Sequence, residues 1–184
     1  MVPVGTEDVI SLLKADHDKV EKLLSRLEST EDSGLVAYFC EVREELVRHE
    51  VAEELVVYPA FRRNVPGGDA VAEACIAEQS EAEKALARLE KHENEPLVLR
   101  AGLLQLKRDV LGHAEHEERE ILPALGAHTK AKDLEALGQR YQKALAAAPT
   151  QPHPHAPDTP PGNVVLGPIA SVVDRVRDAM KAST

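Results

Sequence analysis

Apolar side chains recur at alternating steps of three and four along four successive stretches of the chain, the period of helices that bury one face. The first stripe reads Ile10, Leu13, His17, Val20, Leu24, Leu27, and the second Leu35, Phe39, Val42, Leu46, His49, Glu53, Val56, Ala60. The third reads Ala72, Cys75, Gln79, Ala82, Leu86, Leu89, and the fourth Leu99, Leu103, Leu106, Val110, His113, Glu117, Ile121, Ala124. Pro66-Gly67-Gly68 and Glu95-Pro96 mark turns on either side of the third. Thr6 is a candidate cap for the first helix, with Glu7 and Asp8 complementing its dipole. Short connections favour antiparallel neighbours, so the pattern predicts an all-α, up-down-up-down four-helix bundle.

Thr129 is placed to cap a short extra helix carrying Leu134, Leu137, Tyr141 and Leu145, expected to cover the open end of the bundle. The bundle is assigned to residues 1–148, a proline-rich linker to 149–163 and a C-terminal amphipathic helix to 164–184. Ile169, Val172, Val173, Val176 and Met180 form the apolar side of that last helix. A lone short helix is marginal in water, so folding back or pairing within a homodimer is expected.

Each stripe turns polar near its middle: His17 in the first, His49 and Glu53 in the second, Gln79 in the third, His113 and Glu117 in the fourth. Counted from the connecting turns, these positions fall at one depth. The second and fourth stripes also repeat each other. His49, Glu53, Glu54 and Pro59 are echoed in register by His113, Glu117, Glu118 and Pro123. One His-x-x-x-Glu is a weak signal, since glutamate-rich helices produce it by chance; two with the same following Glu and Pro are specific. A His and a Glu four apart share a helix face, about 6 Å apart along the axis.

On a solvated acidic face such residues would mean little, but these lie within apolar stripes. Burying carboxylates and imidazoles is costly unless something compensates, and a metal ion does so directly. Imidazole with carboxylate suits iron, manganese or zinc. Glu54 and Glu118, beside the stripe, are expected to be solvated or to support the ligands. His92, His128, His153 and His155 are expected at the surface or in the tail, Tyr58 as a capping aromatic. Pro59 and Pro123 are expected to end or kink their helices.

Composition narrows the function classes. A formal net charge of -10 over 184 residues argues against a general nucleic-acid binder. No apolar run approaches the ~20 residues of a membrane span, and the N-terminus lacks a signal-peptide pattern, so the expected location is the cytoplasm. Cys40 and Cys75 would differ in height by about 24 Å at 1.5 Å per residue, too far for a disulfide, so both are expected as reduced, buried thiols.

Taken together, these motifs resemble the hemerythrin HHE cation-binding family, over roughly residues 6–147. Asp16-His17-Asp18 is similar to its first motif, His49 through Pro59 to its second, and His113 through Pro123 to its fourth. His-x-x-x-Glu with two carboxylates, in place of the Glu-x-x-His and four carboxylates of ferritin-like bundles, fits that family better. The resemblance implies a non-heme, one- or two-iron centre held by His17, His49, Glu53, His113 and Glu117. It implies a small diatomic or peroxide ligand (oxygen, nitric oxide or hydrogen peroxide), with roles in oxidative or nitrosative stress or in oxygen or iron sensing. The chain departs from the family at helix three, where Glu78-Gln79 stands in place of a Glu-His pair. Gln79 offers a weaker oxygen donor, so an asymmetric centre is expected, with Glu50 and His116 the nearest compensating ligands. The alternatives are a peroxide-consuming di-iron enzyme and a metal-poor helical interaction module.

Overall fold

The computed structural model describes residues 7–148, so Thr6, the proline-rich linker and the C-terminal helix lie outside it. The described chain is an all-α helical bundle. Helix α1 spans Val9–Ser25, α2 Leu35–Ala52, α3 Tyr58–Asn64, α4 Gly68–Glu90, α5 Pro96–His116, α6 Leu122–His128 and α7 Ala131–Ala147. Asp8 caps α1, its carboxylate accepting from the Ile10 and Ser11 amides, and takes the role expected of Thr6. The Pro-Gly-Gly turn forms with Gly67 at φ 74, a left-handed backbone that suits glycine. Pro96 opens α5, where its missing N–H costs nothing.

The expected breaks at the two prolines take another form. Between α2 and α3, Glu53–Val57 forms a π turn in which the Tyr58 amide bonds to the Glu53 carbonyl. Between α5 and α6, Glu117–Ile121 does the same, the Leu122 amide bonding to Glu117. Proline cannot donate a backbone hydrogen bond and crowds the carbonyl four residues before it. Widening one turn to i→i+5 relieves that clash and lets each helix continue.

The core divides into two apolar clusters with a polar layer between them. One gathers Val20, Leu24, Leu27, Phe39, Val42, Leu46, Leu86, Leu99, Leu103 and Leu106. The other gathers Leu13, Val51, Val56, Val57, Phe61, Ala72, Cys75, Ile121, Leu122, Leu125 and Leu137. Between them lie the buried polar residues His17, His49, Glu53, Gln79 and Glu117. Cys75 is buried as expected, but Cys40 is exposed, one step off the stripe of α2.

Helix α7 runs for 17 residues and packs against α1, α2 and the first π turn, not across an end. Lys130 stands at its N-cap with no side-chain cap, and Thr129 instead accepts a hydrogen bond from Asn64. Its approach is close enough that a Cβ on Gly138 would sit 2.3 Å from the Glu7 carbonyl oxygen. The second buried face this gives α2 explains why Val47, Val51, Leu55 and Tyr58 are buried off the predicted stripe. Among the described residues no helix is long and apolar enough to cross a membrane.

Candidate metal centre

One turn of helix separates His49 from Glu53, so both project from α2 toward the same interior, and α5 delivers Glu117 the same way. His17 arrives from α1. One nitrogen or oxygen from each of His17, His49, Glu53 and Glu117 lies within 4.8 Å of all the others, and all four residues are buried. His17 Nε2 is 3.3 Å from Glu117 Oε2 and 3.7 Å from Glu53 Oε1, while His49 Nε2 is 3.4 Å from Glu53 Oε1. The His17 and His49 rings are 5.1 Å apart between centroids, edge to face. His17 Nε2, Glu53 Oε1 and Glu117 Oε2 are buried without a hydrogen-bond partner. Buried polar atoms are rarely left so, and three converging on one point are the donor set that a cation satisfies.

The outward nitrogens fix the ring orientations. His49 Nδ1 lies 3.0 Å from Asp16 Oδ2, which also accepts from the Tyr141 hydroxyl at 2.9 Å. His17 Nδ1 lies 2.9 Å from Glu118 Oε1. Keeping a proton on each Nδ1 satisfies these carboxylates, so that loss of the second ring proton frees each Nε2 lone pair toward the interior. Glu118 therefore orients His17 and is not simply a solvated side chain.

The second oxygen of each glutamate is engaged differently. Glu53 Oε2 accepts from the Gln79 amide, whose nitrogen also donates to the Tyr58 hydroxyl at 2.9 Å. The Tyr58 hydroxyl in turn donates to Glu117 Oε1 at 2.8 Å. His113 stands at the edge: its Nε2 is 3.3 Å from the Tyr58 hydroxyl and 3.8 Å from Glu117 Oε1, and its Nδ1 meets Glu78 at 2.7 Å. The four-donor group thus excludes His113, and Gln79 presents its nitrogen to the centre's carboxylate. Glu50 is buried beside His49 with one oxygen unpartnered, outside that group, and burial pushes its carboxyl well above the usual range. His116 is half-buried, 3.7 Å from Glu120.

The electrostatics favour positive charge in this layer. Burial opposes a proton on His17, but the adjacent Glu117 and Glu53 carboxylates overcome it and raise its pKa to about 11. Burial likewise works against ionising Glu117, yet His17 and His113 hold it down at about 2. Glu53 is raised, by burial and then by Glu117. Two carboxylates so close share what positive charge there is.

A cavity of about 920 Å³ runs from this layer to the surface between α4 and α5. His17, His49, Glu50, Gln79 and His113 line its inner part, and the exposed Arg88, Arg108 and Arg119 stand at its outer part. Sequence reasoning missed Asp16, Tyr141 and the placement of Tyr58. Asp16 lies next to His17 in the first motif, a signal that was present. Tyr58 would point about 140° away from Glu53 at 3.6 residues per turn; the π turn brings it round, and only Pro59 hinted at that.

The Hemerythrin HHE cation binding domain model matches residues 8–125. An uncharacterized hemerythrin-like protein of Schizosaccharomyces pombe is 27% identical over 168 residues, 90% of this chain and 83% of its own. A DNA nickase of Nostoc sp. is 25% identical over 138 residues, covering 74% of this chain but only 39% of the nickase. No solved structure matches.

Proposed function

This chain belongs to the hemerythrin HHE cation-binding domain family, and on that premise we propose that it is a non-heme iron protein that binds or reacts with a small ligand. Oxygen, nitric oxide and hydrogen peroxide are the candidate ligands. The observation that carries the reading is the set of buried, unpartnered donors on His17, Glu53 and Glu117, with His49 beside them. Those four residues hold the iron, and Asp16, Glu118 and Tyr141 orient the histidines. Bound iron supplies an electron and an open coordination position. The protein supplies a dry apolar shell on both sides of the metal layer and a cavity through which the ligand arrives.

A purely structural module has little reason to keep three unpartnered polar atoms in its core, which disfavours a metal-poor reading. The nickase likeness is not extended to this chain, since a net charge of -10 opposes binding to a phosphate backbone. Elemental analysis and the absorption spectrum of protein isolated without chelator test the proposal. Stoichiometric iron, lost in His49→Ala, is the expected result. Iron far below one per chain after anaerobic reconstitution rules it out. Steady oxygen evolution from peroxide, abolished by Glu53→Ala, would assign peroxide consumption instead of binding.

A further inference from the structure

We propose that the centre is built for one metal ion, with the Tyr58 hydroxyl and the Gln79 amide holding the place of a second. The inference rests on the proposed function and deepens it by fixing the number of ions and the kind of ligand.

A carboxylate that bridges two ions in the two-oxygen mode spends both oxygens on metal. Here the two oxygens of each glutamate have different surroundings. Glu53 Oε1 and Glu117 Oε2 face His17 Nε2 and have no hydrogen-bond partner. Glu53 Oε2 already accepts from Gln79, and Glu117 Oε1 already accepts from Tyr58 at 2.8 Å. His113 Nε2, the nearest imidazole on that side, faces the Tyr58 hydroxyl at 3.3 Å. The glutamate oxygens that face a first ion are therefore unpartnered, while those a second would need are engaged with Tyr58 and Gln79; Gln79 Oε1 is itself left buried without a partner, its amide being held through the nitrogen.

The orientation of Gln79 follows from its neighbour. An ionised carboxylate only accepts, so the amide must turn its NH₂ toward Glu53, and those N–H groups repel a cation at the same spot. Tyr58 is 1% exposed and Gln79 3% exposed. A second ion would displace both from their partners, a penalty the first ion does not incur. Tyr58 reaches this position only through the π turn, and its counterpart after the other π turn is Leu122, which has no hydroxyl. One side of the layer is thus equipped for metal and the other for a hydrogen-bonded tyrosine.

The number of ions bears on the ligand. One ferrous ion carries one reducing electron, which suits nitric oxide and does not suffice for two-electron reduction of dioxygen within one chain.

The test uses the full-length chain, reconstituted anaerobically with ferrous iron and desalted. Iron per chain is measured by mass spectrometry, and after oxidation the spin count by electron paramagnetic resonance. One iron per chain, all of it giving the signal of an isolated high-spin ferric ion, is the expected result. One equivalent of nitric oxide taken up per ferrous chain is expected with it. Combining Tyr58→Phe with Gln79→His should raise the iron toward two per chain and diminish the signal as coupled pairs form. If that variant fails to fold by circular dichroism, Gln79→His alone should still raise iron above one. Two irons per wild-type chain with a silent spectrum would overturn this inference while leaving the proposed function standing. Correctly folded variants that stay at one iron would overturn the roles given to Tyr58 and Gln79. Wild-type protein that retains no iron would overturn both readings.

Discussion

The two His-x-x-x-Glu repeats begin from the same letters and arrive at different surroundings. His49 is buried, with Asp16 on its Nδ1, Tyr141 of α7 beside it, and its Nε2 in the four-donor group. His113 lies on the cavity wall with its side chain 13% exposed, paired with a Glu78 that is 51% exposed, and faces a tyrosine. The difference comes from packing outside the motif. Helix α7 covers the flank of α2, and the first π turn supplies a tyrosine where the second supplies a leucine. A His-x-x-x-Glu motif is therefore half a statement; the neighbours that orient and bury it complete the rest.

The largest contrast should appear when each histidine is removed. His49→Ala is expected to lower iron affinity by more than about 100-fold, beyond the usual effect of losing a supporting partner. His113→Ala should leave occupancy within about tenfold of wild type, because His113 lies outside the four-donor group. Equal losses in a metal-competition titration would show the repeats to be equivalent after all.

Their hydrogen-bond partners give a smaller contrast. Asp16→Asn should cost about 10–100-fold in iron affinity by loosening His49. Glu78→Gln acts on a pair whose carboxylate is half exposed and should stay within about fivefold. The same titration measures both.

The pH dependence probes the shared layer. Iron must displace the proton from His17, whose pKa is raised to about 11. Apparent affinity should therefore climb by up to about tenfold per pH unit from about pH 6 to pH 9. Without metal, the raised His17 adds stability that is complete below its ordinary value of 6.5 and is lost as pH rises toward 11. The lowered Glu117 adds stability that is present above 4.5 and is lost as pH falls toward 2. Metal-free protein should accordingly melt at falling temperature on going from about pH 6 to pH 9, and iron should flatten that slope. A metal-free melting curve that rises over the same range would contradict the charge assignment.

The smallest effect concerns the helix that favours the first repeat. Tyr141→Phe removes the hydroxyl that donates to Asp16 and should cost about 1 kcal/mol in chemical denaturation. No loss of stability would mean that α7 contributes packing alone.

Much of this was legible in the chain because helix period and burial speak together. The stripe positions from Leu35 to Ala60 are all buried, and Leu99, Leu103 and Leu106 likewise. The polar interruptions meet at the depth their spacing from the turns implied, since every helix rises by the same amount per residue. His17, His49, Glu53 and Glu117 were readable for that reason. Tyr58, Asp16 and Tyr141 were not assigned roles at the centre. Tyr58 depends on a turn that departs from the helical period and Tyr141 on α7 lying along the bundle, whereas Asp16 stood beside His17 in the first motif and meets His49 across α1 and α2.

By itself the sequence determined that helices form, which face each buries and which residues interrupt the core, because those follow from local periodicity and burial cost. Which nitrogen or oxygen of each residue faces the centre, and which is taken by a neighbour, was decided only in three dimensions. That choice depends on side chains distant in sequence meeting the same lone pairs, as Gln79 and Tyr58 do at Glu53 and Glu117.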